Sequence, residues 1–173
     1  LIDSIIEKKS YISIWCEQHD DVLGERKDGL FDFYQIKTRK PENGAWKLND
    51  EQVIDSIKKF VSHFKKFKSK IGKFYFVSNT NYLVSDSKKK IGLSPIRVLE
   101  AIVFEKSHGS KIPEEIQKSL ETLSKHCECE VEDLKRIFPR IEFILGPERN
   151  SYETIISSDF LPQLSECQQL SRS

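Results

Sequence analysis

Between Asn49 and Val77 the hydrophobic period of the sequence changes once, and the change fixes the class of fold. Val53, Ile54, Ile57, Phe60, Val61, Phe64 and Phe67 recur at helical spacing and make one apolar stripe. Asn49 suits the N-cap, Gln52 stands at the capping-box position, and Gly72 suits the stop. The opposite face carries Lys58, Lys59, Lys65, Lys66, Lys68 and Lys70. Phe74-Tyr75-Phe76-Val77 then forms a short continuous apolar run, the pattern of a strand buried on both faces. A striped helix feeding such a strand indicates an α/β fold.

Upstream, Leu1, Ile2, Ile5 and Ile6 repeat at helical spacing, and residues 11–17 are apolar and β-branched enough for a first strand. Asp20-Asp21-Val22-Leu23 and the alternating run of residues 31–39 flank the turn signal Asp28-Gly29 and predict a hairpin. The order is therefore helix, three strands, helix, strand. Downstream, Ser94-Pro95 and Pro113 open two helices, a third spans about 131–138, residues 141–145 read as a strand, and Ile155, Ile156, Phe160, Leu161 and Leu164 suggest more helix. With 173 residues, 38% of them hydrophobic, the chain suffices for one ordinary core. We divide it into a core of residues 1–93 and a mostly helical extension of residues 94–173, packed together as one domain.

The hairpin carries the chemistry. Residues two apart on a strand share a face, so Gln35 and Lys37 point the same way, with the acidic pair Asp20-Asp21 beside them. Asp21 and the side-chain carbonyl of Gln35 are oxygen donors of the kind Mg²⁺ prefers, and Lys37 reaches a phosphate or the attacking water. That combination points to phosphodiester hydrolysis. Glu17 adds a further carboxylate near Asp20 and Asp21; such a cluster is solvated loop charge or the repulsive set that a cation relieves. Thr38, Arg39 and Lys40 extend hydroxyl and positive charge beyond the site and suit phosphate contacts, although a lysine on an exposed edge also serves solubility. Trp46 reads as a lid on the core rather than a stacking platform.

The formal net charge is +1, yet residues 35–90 hold 14 of the 28 basic and only 5 of the 27 acidic residues. A basic middle after an acidic start suits a metal-dependent enzyme acting on a polyanion; a solvated lysine face is the plainer account. Four cysteines, at 16, 127, 129 and 167, are too scattered for a disulfide framework. His126, Cys127 and Cys129 lack the second ligand pair of a zinc site, so structural thiols are the expectation. No secretory signal or long apolar span is apparent, which predicts a cytoplasmic protein without a membrane segment. The sequence contains no methionine and starts in the middle of a helical pattern, which reads as a piece of something longer.

Glu17-x-x-Asp20-Asp21-Val22, Tyr34-Gln35-Ile36-Lys37-Thr38-Arg39 and Trp46-Lys47-Leu48 together resemble the nuclease domain of the CD-NTase-associated double-stranded DNA endonucleases of bacterial anti-phage defence. These belong to the PD-(D/E)xK restriction-endonuclease-like superfamily, so the resemblance implies a mixed β-sheet core flanked by helices, with a mostly helical C-terminal part. The specific motif covers residues 17–48, and Gln35 departs from the superfamily pattern, where many members have Glu. The resemblance implies a metal-dependent endonuclease of double-stranded DNA with little sequence specificity, using Mg²⁺ or, in its place, Mn²⁺. It makes Asp21 the favoured metal ligand of the two aspartates, with Asp20 supporting it directly or through water. It also implies an acid on the first helix, for which Glu7 is the candidate, a solvated glutamate being the plainer account. Relatives carry a cyclic-nucleotide-sensing domain in the same chain or associate with a ring-shaped ATP-driven translocase, and act as homo-oligomers. The polar stretch 79–93, with Lys88-Lys89-Lys90, reads as a mobile loop or one that touches DNA. Two other readings fit the same residues: a catalytically inactive DNA-binding or assembly-docking module of this fold, and a protein-interaction domain whose lysines only solvate it.

Overall fold

In the computed structural model, which describes residues 11–16, 21–85 and 87–146, the alternating run becomes the central strand of a five-stranded mixed sheet. The strands are β1 (Tyr11–Cys16), β2 (Asp21–Arg26), β3 (Phe31–Lys37), β4 (Ile71–Ser78) and β5 (Ile141–Leu145), adjacent in space in that order. The first three form an antiparallel meander, and β4 and β5 add on in parallel. The meander closes where the sequence signals it. Gly29 takes φ +79°, and the carboxylate of Asp28 accepts the Leu30 N–H at 3.1 Å.

Parallel neighbours need a crossover, and helices supply both. Helix α1 (Glu51–Phe67) links β3 to β4; α2 (Pro95–His108), α3 (Glu114–Cys127) and α4 (Val131–Ile137) lie between β4 and β5. The α/β class expected from the sequence is what forms. Phe33, Phe74 and Phe76 of the sheet pack with Ile57 and Phe60 of α1, Leu120 of α3 and Ile137 of α4 in one continuous core. No helix of the described residues is long and apolar enough to cross a membrane.

Three local expectations are corrected. Strand β4 is not buried on both faces: Phe74 and Phe76 are fully buried, while Tyr75 and Val77 on the other side are only half-buried. Helix α1 stops at Phe67, where Lys68 takes φ +51°, and Gly72 lies inside β4. A Cβ at Gly72 would collide with the Asp32 carboxylate, which explains the glycine. The N-cap is Asp50 rather than Asn49, and its carboxylate makes no capping bond because Arg39 and the Lys47 N–H occupy it. Within the stretch 79–93, residues Lys88–Leu93 form a tight helical turn packed against α3.

Burial and a neighbouring thiol push the Cys127 thiol up to about 12, so it stays protonated as a core side chain. Among the described residues no group of three His, Cys, Asp or Glu side chains could hold a metal ion.

The half-open side of the sheet is held by a buried charge. Asp32, 3% exposed, accepts the Lys73 N–H at 2.8 Å and the Tyr11 hydroxyl at 2.7 Å, and Tyr34 lies 2.5 Å from that same hydroxyl. Burial first, then these hydrogen bonds, keep the Tyr11 phenol protonated far above its usual range. The carboxylate thus ties β1 and β4 to β3. Asp32→Ala strands both donors and is expected to lower the unfolding free energy by about 2–4 kcal/mol, with Tyr11→Phe costing about 1 kcal/mol. Urea midpoints at unchanged m-values check both.

Candidate active site

Strand β3 leaves the core as it runs from Phe33 to Lys37, and the site lies where it emerges. Phe33 is buried under α1, stacked on His63 with ring centroids 4.4 Å apart. Gln35 is 2% exposed and Lys37 half-buried, both on this α1-facing side. The ladder sets Asp21 opposite Gln35 on β2, with Phe76 as the Gln35 partner on β4. The register therefore joins Asp21 and Gln35 and places Lys37 one step further along the same strand. Glu7, Glu17 and Asp20 lie outside the described residues.

Over this strand end opens a cleft of about 720 Å³, lined by Gln35, Ile36, Lys37 and Thr38 on one side and by Gln52, Asp55, Lys58, Lys59 and Ser62 of α1 on the other. The sequence reading found the first wall and missed the second. Gln52, Asp55, Lys59 and Ser62 follow at steps of three and four, a polar stripe flanking the apolar one, and that spacing is the signal that could have revealed it.

Arg39 turns away from the cleft. Its guanidinium lies 3.7 Å from the ring centroid of Trp46 and 3.0 Å from the Asp50 carboxylate. Its backbone N–H donates to the side chain of Asn79 at 3.0 Å, and its carbonyl accepts from the Asn79 amide at 3.1 Å. This side-chain clasp continues the β3–β4 ladder past its last pair, Lys37 and Ser78. Trp46, 1% exposed, is a lid on the core as expected, and its indole N–H donates to Ser78 Oγ at 2.6 Å. Thr38 and Lys40 are exposed.

The donor chemistry suits a hard cation. Asp21 and Gln35 carry oxygen donors of the kind Mg²⁺ takes, an ion that uses one or two carboxylates plus substrate phosphate and water rather than a closed protein cage. The amide at position 35 has its own logic. Burying a carboxylate beside Phe76 would cost several kcal/mol unless it were paired, whereas an amide offers the oxygen without the charge.

The family model described as "Cap4, dsDNA endonuclease domain" matches residues 1–172. Two solved structures are similar to the chain: the Acinetobacter baumannii Cap4 SAVED/CARF-domain containing receptor, alone and with the cyclic trinucleotide 3'3'3'-cAAA. Each is 15% identical with a TM-score of 0.46, over 83% of this chain and 30% or 28% of the solved one. The chain thus spans less than a third of those proteins. No curated protein matches it.

The anchoring of Arg39 separates it from its neighbour. Arg39→Ala removes an ion pair and a ring contact at a mostly buried guanidinium and is expected to cost about 1–3 kcal/mol of stability, against under about 0.5 kcal/mol for Lys40→Ala. Chemical denaturation of the two variants checks the contrast.

Proposed function

The chain belongs to the Cap4 dsDNA endonuclease-domain family, and on that premise we propose that it is a metal-dependent endonuclease cutting double-stranded DNA with little sequence preference at the β3 cleft. The observation that carries the reading is the backbone register that sets Asp21 opposite Gln35, together with the open cleft that Gln35 and Lys37 line.

In this reading Asp21 and Gln35 hold Mg²⁺, or Mn²⁺ in its place, with Glu17 and Asp20 as acidic helpers. The chemistry a bound ion supplies is a water of lowered pKa and neutralisation of charge growing on the phosphate. Lys37 adds a fixed positive charge where that phosphate sits and orients the attacking water. Thr38 and Lys40 contact the flanking backbone, while Arg39 holds the strand end in place behind them. Contacts of this kind fix position without reading bases, which accounts for the low sequence preference.

The proposal extends to the setting. The domain is the effector part of an anti-phage protein acting in the cytoplasm as a homo-oligomer, switched by a cyclic-nucleotide-sensing domain in the same parent chain or by a ring-shaped ATPase.

A plasmid-cleavage time course in Mg²⁺, in EDTA and with Lys37→Ala tests the chemistry. EDTA is expected to abolish cleavage, and Lys37→Ala to slow it by about 10²–10³-fold while leaving the fold intact. Cleavage that survives Lys37→Ala would remove Lys37 from the site. Plasmid left intact by the wild type in Mg²⁺ and in Mn²⁺, with DNA binding retained, would instead establish a non-catalytic module.

A further inference from the structure

One wall of the cleft is strand and the other is helix, and the helical wall has its own charge device. Lys59 stands on the polar stripe of α1, and Lys58 lies at the rim beside it; both line the cleft. Lys58 Nζ donates to Glu128 Oε1 at 2.9 Å, and two turns further along α1 Lys65 Nζ donates to the backbone carbonyl of the same Glu128 at 3.1 Å. One residue thus engages two members of the α1 lysine row.

Glu128 is unusual where it stands. It closes α3 in the left-handed conformation, at φ +51°, a position that glycine or asparagine takes most readily. From that turn its carboxylate meets Lys58 on α1. The pair is open to water, with 50% of the Lys58 side chain and 79% of the Glu128 side chain exposed, so it is weak and readily exchanged.

We propose that this helical wall is where the cleft grips the DNA backbone: Lys58 and Lys59 contact phosphates of the bound strand, and Glu128 holds Lys58 at the rim until a phosphate displaces its carboxylate. The inference rests on the nuclease reading above. It gives α1 backbone contacts of its own, apart from the strand end where Arg39 is held by Trp46 and Asp50. The exchange keeps Lys58 paired with an anion throughout, so binding leaves no lysine charge uncompensated. A lysine row suits this task because a point charge tolerates any sequence running past it.

The test is binding of the full chain to a fluorescently labelled DNA duplex in EDTA, by anisotropy across a series of salt concentrations. Each phosphate contact contributes about 0.9 to the slope of log affinity against log salt. Lys58→Ala with Lys59→Ala is expected to lower that slope by about 2, in a helix that alanine favours, with folding verified by circular dichroism. Glu128→Gln is expected to tighten binding about two- to fivefold at fixed salt by freeing Lys58. A wild-type slope in the double variant overturns the proposal. So does an equal loss of slope in a distant pair, Lys106→Ala with Lys111→Ala, since the effect would then be overall charge. Unchanged or weakened binding by Glu128→Gln overturns the competing role of Glu128. A wild type with no salt-dependent affinity removes the nuclease reading itself, whereas binding with an unmoved slope removes only the helical wall.

Discussion

The guanidinium of Arg39 lies on the indole of Trp46, and the geometry of the cleft depends on that contact. Strand β3 must change from an aromatic core strand at Phe33 to a polar one at Lys37 within five residues, and something has to set where it leaves the core. Arg39 does so from behind. Its side chain is fixed by Trp46 and Asp50, its backbone by Asn79, and Trp46 in turn by Ser78 at the end of β4. With β3 and β4 locked together two residues beyond Lys37, Gln35 and Lys37 have no freedom to slide in register. A one-residue slip would send both to the opposite side of the sheet.

The two sides of that sheet are built on different principles. The α1 side is a packed apolar core, whereas the other is organised by the single buried carboxylate of Asp32 and the phenols around it. This division lets a short meander be stable at its outer strand, because Tyr11 reaches across β2 to a charge on β3. Gly24, the β2 residue between them, leaves the room that the Tyr11 ring crosses, since a Cβ there would meet that ring.

Much of this was legible in the sequence because it rests on local periodicity. Period two put Gln35 and Lys37 on one face; period 3.6 gave α1 and its buried stripe; the Asp28-Gly29 turn and the prolines at the starts of α2 and α3 marked ends. What escaped notice depends on distant partners. Gly72 looked like a helix stop because its true neighbour, Asp32, is forty residues earlier in the chain. The anchoring of Arg39 needs Trp46, Asp50 and Asn79 together, and no spacing announces that meeting. Tyr75 looked apolar in a run of aromatics, yet its ring stacks on Tyr34 at 4.4 Å on the half-open side. The helical wall was overlooked for another reason: glutamine, aspartate, lysine and serine on a helix are chemically ordinary until a strand end is brought opposite them.

The connection between β3 and α1 is laced to the stretch after β4. The Trp46 N–H donates to the Asn81 carbonyl, the Leu83 N–H to the Trp46 carbonyl, and the Leu48 N–H to the Leu93 carbonyl. This connection joins the two walls of the cleft, so it acts as a caliper whose setting is fixed by the core. Widening the gap would mean withdrawing a buried tryptophan, at about 3–5 kcal/mol.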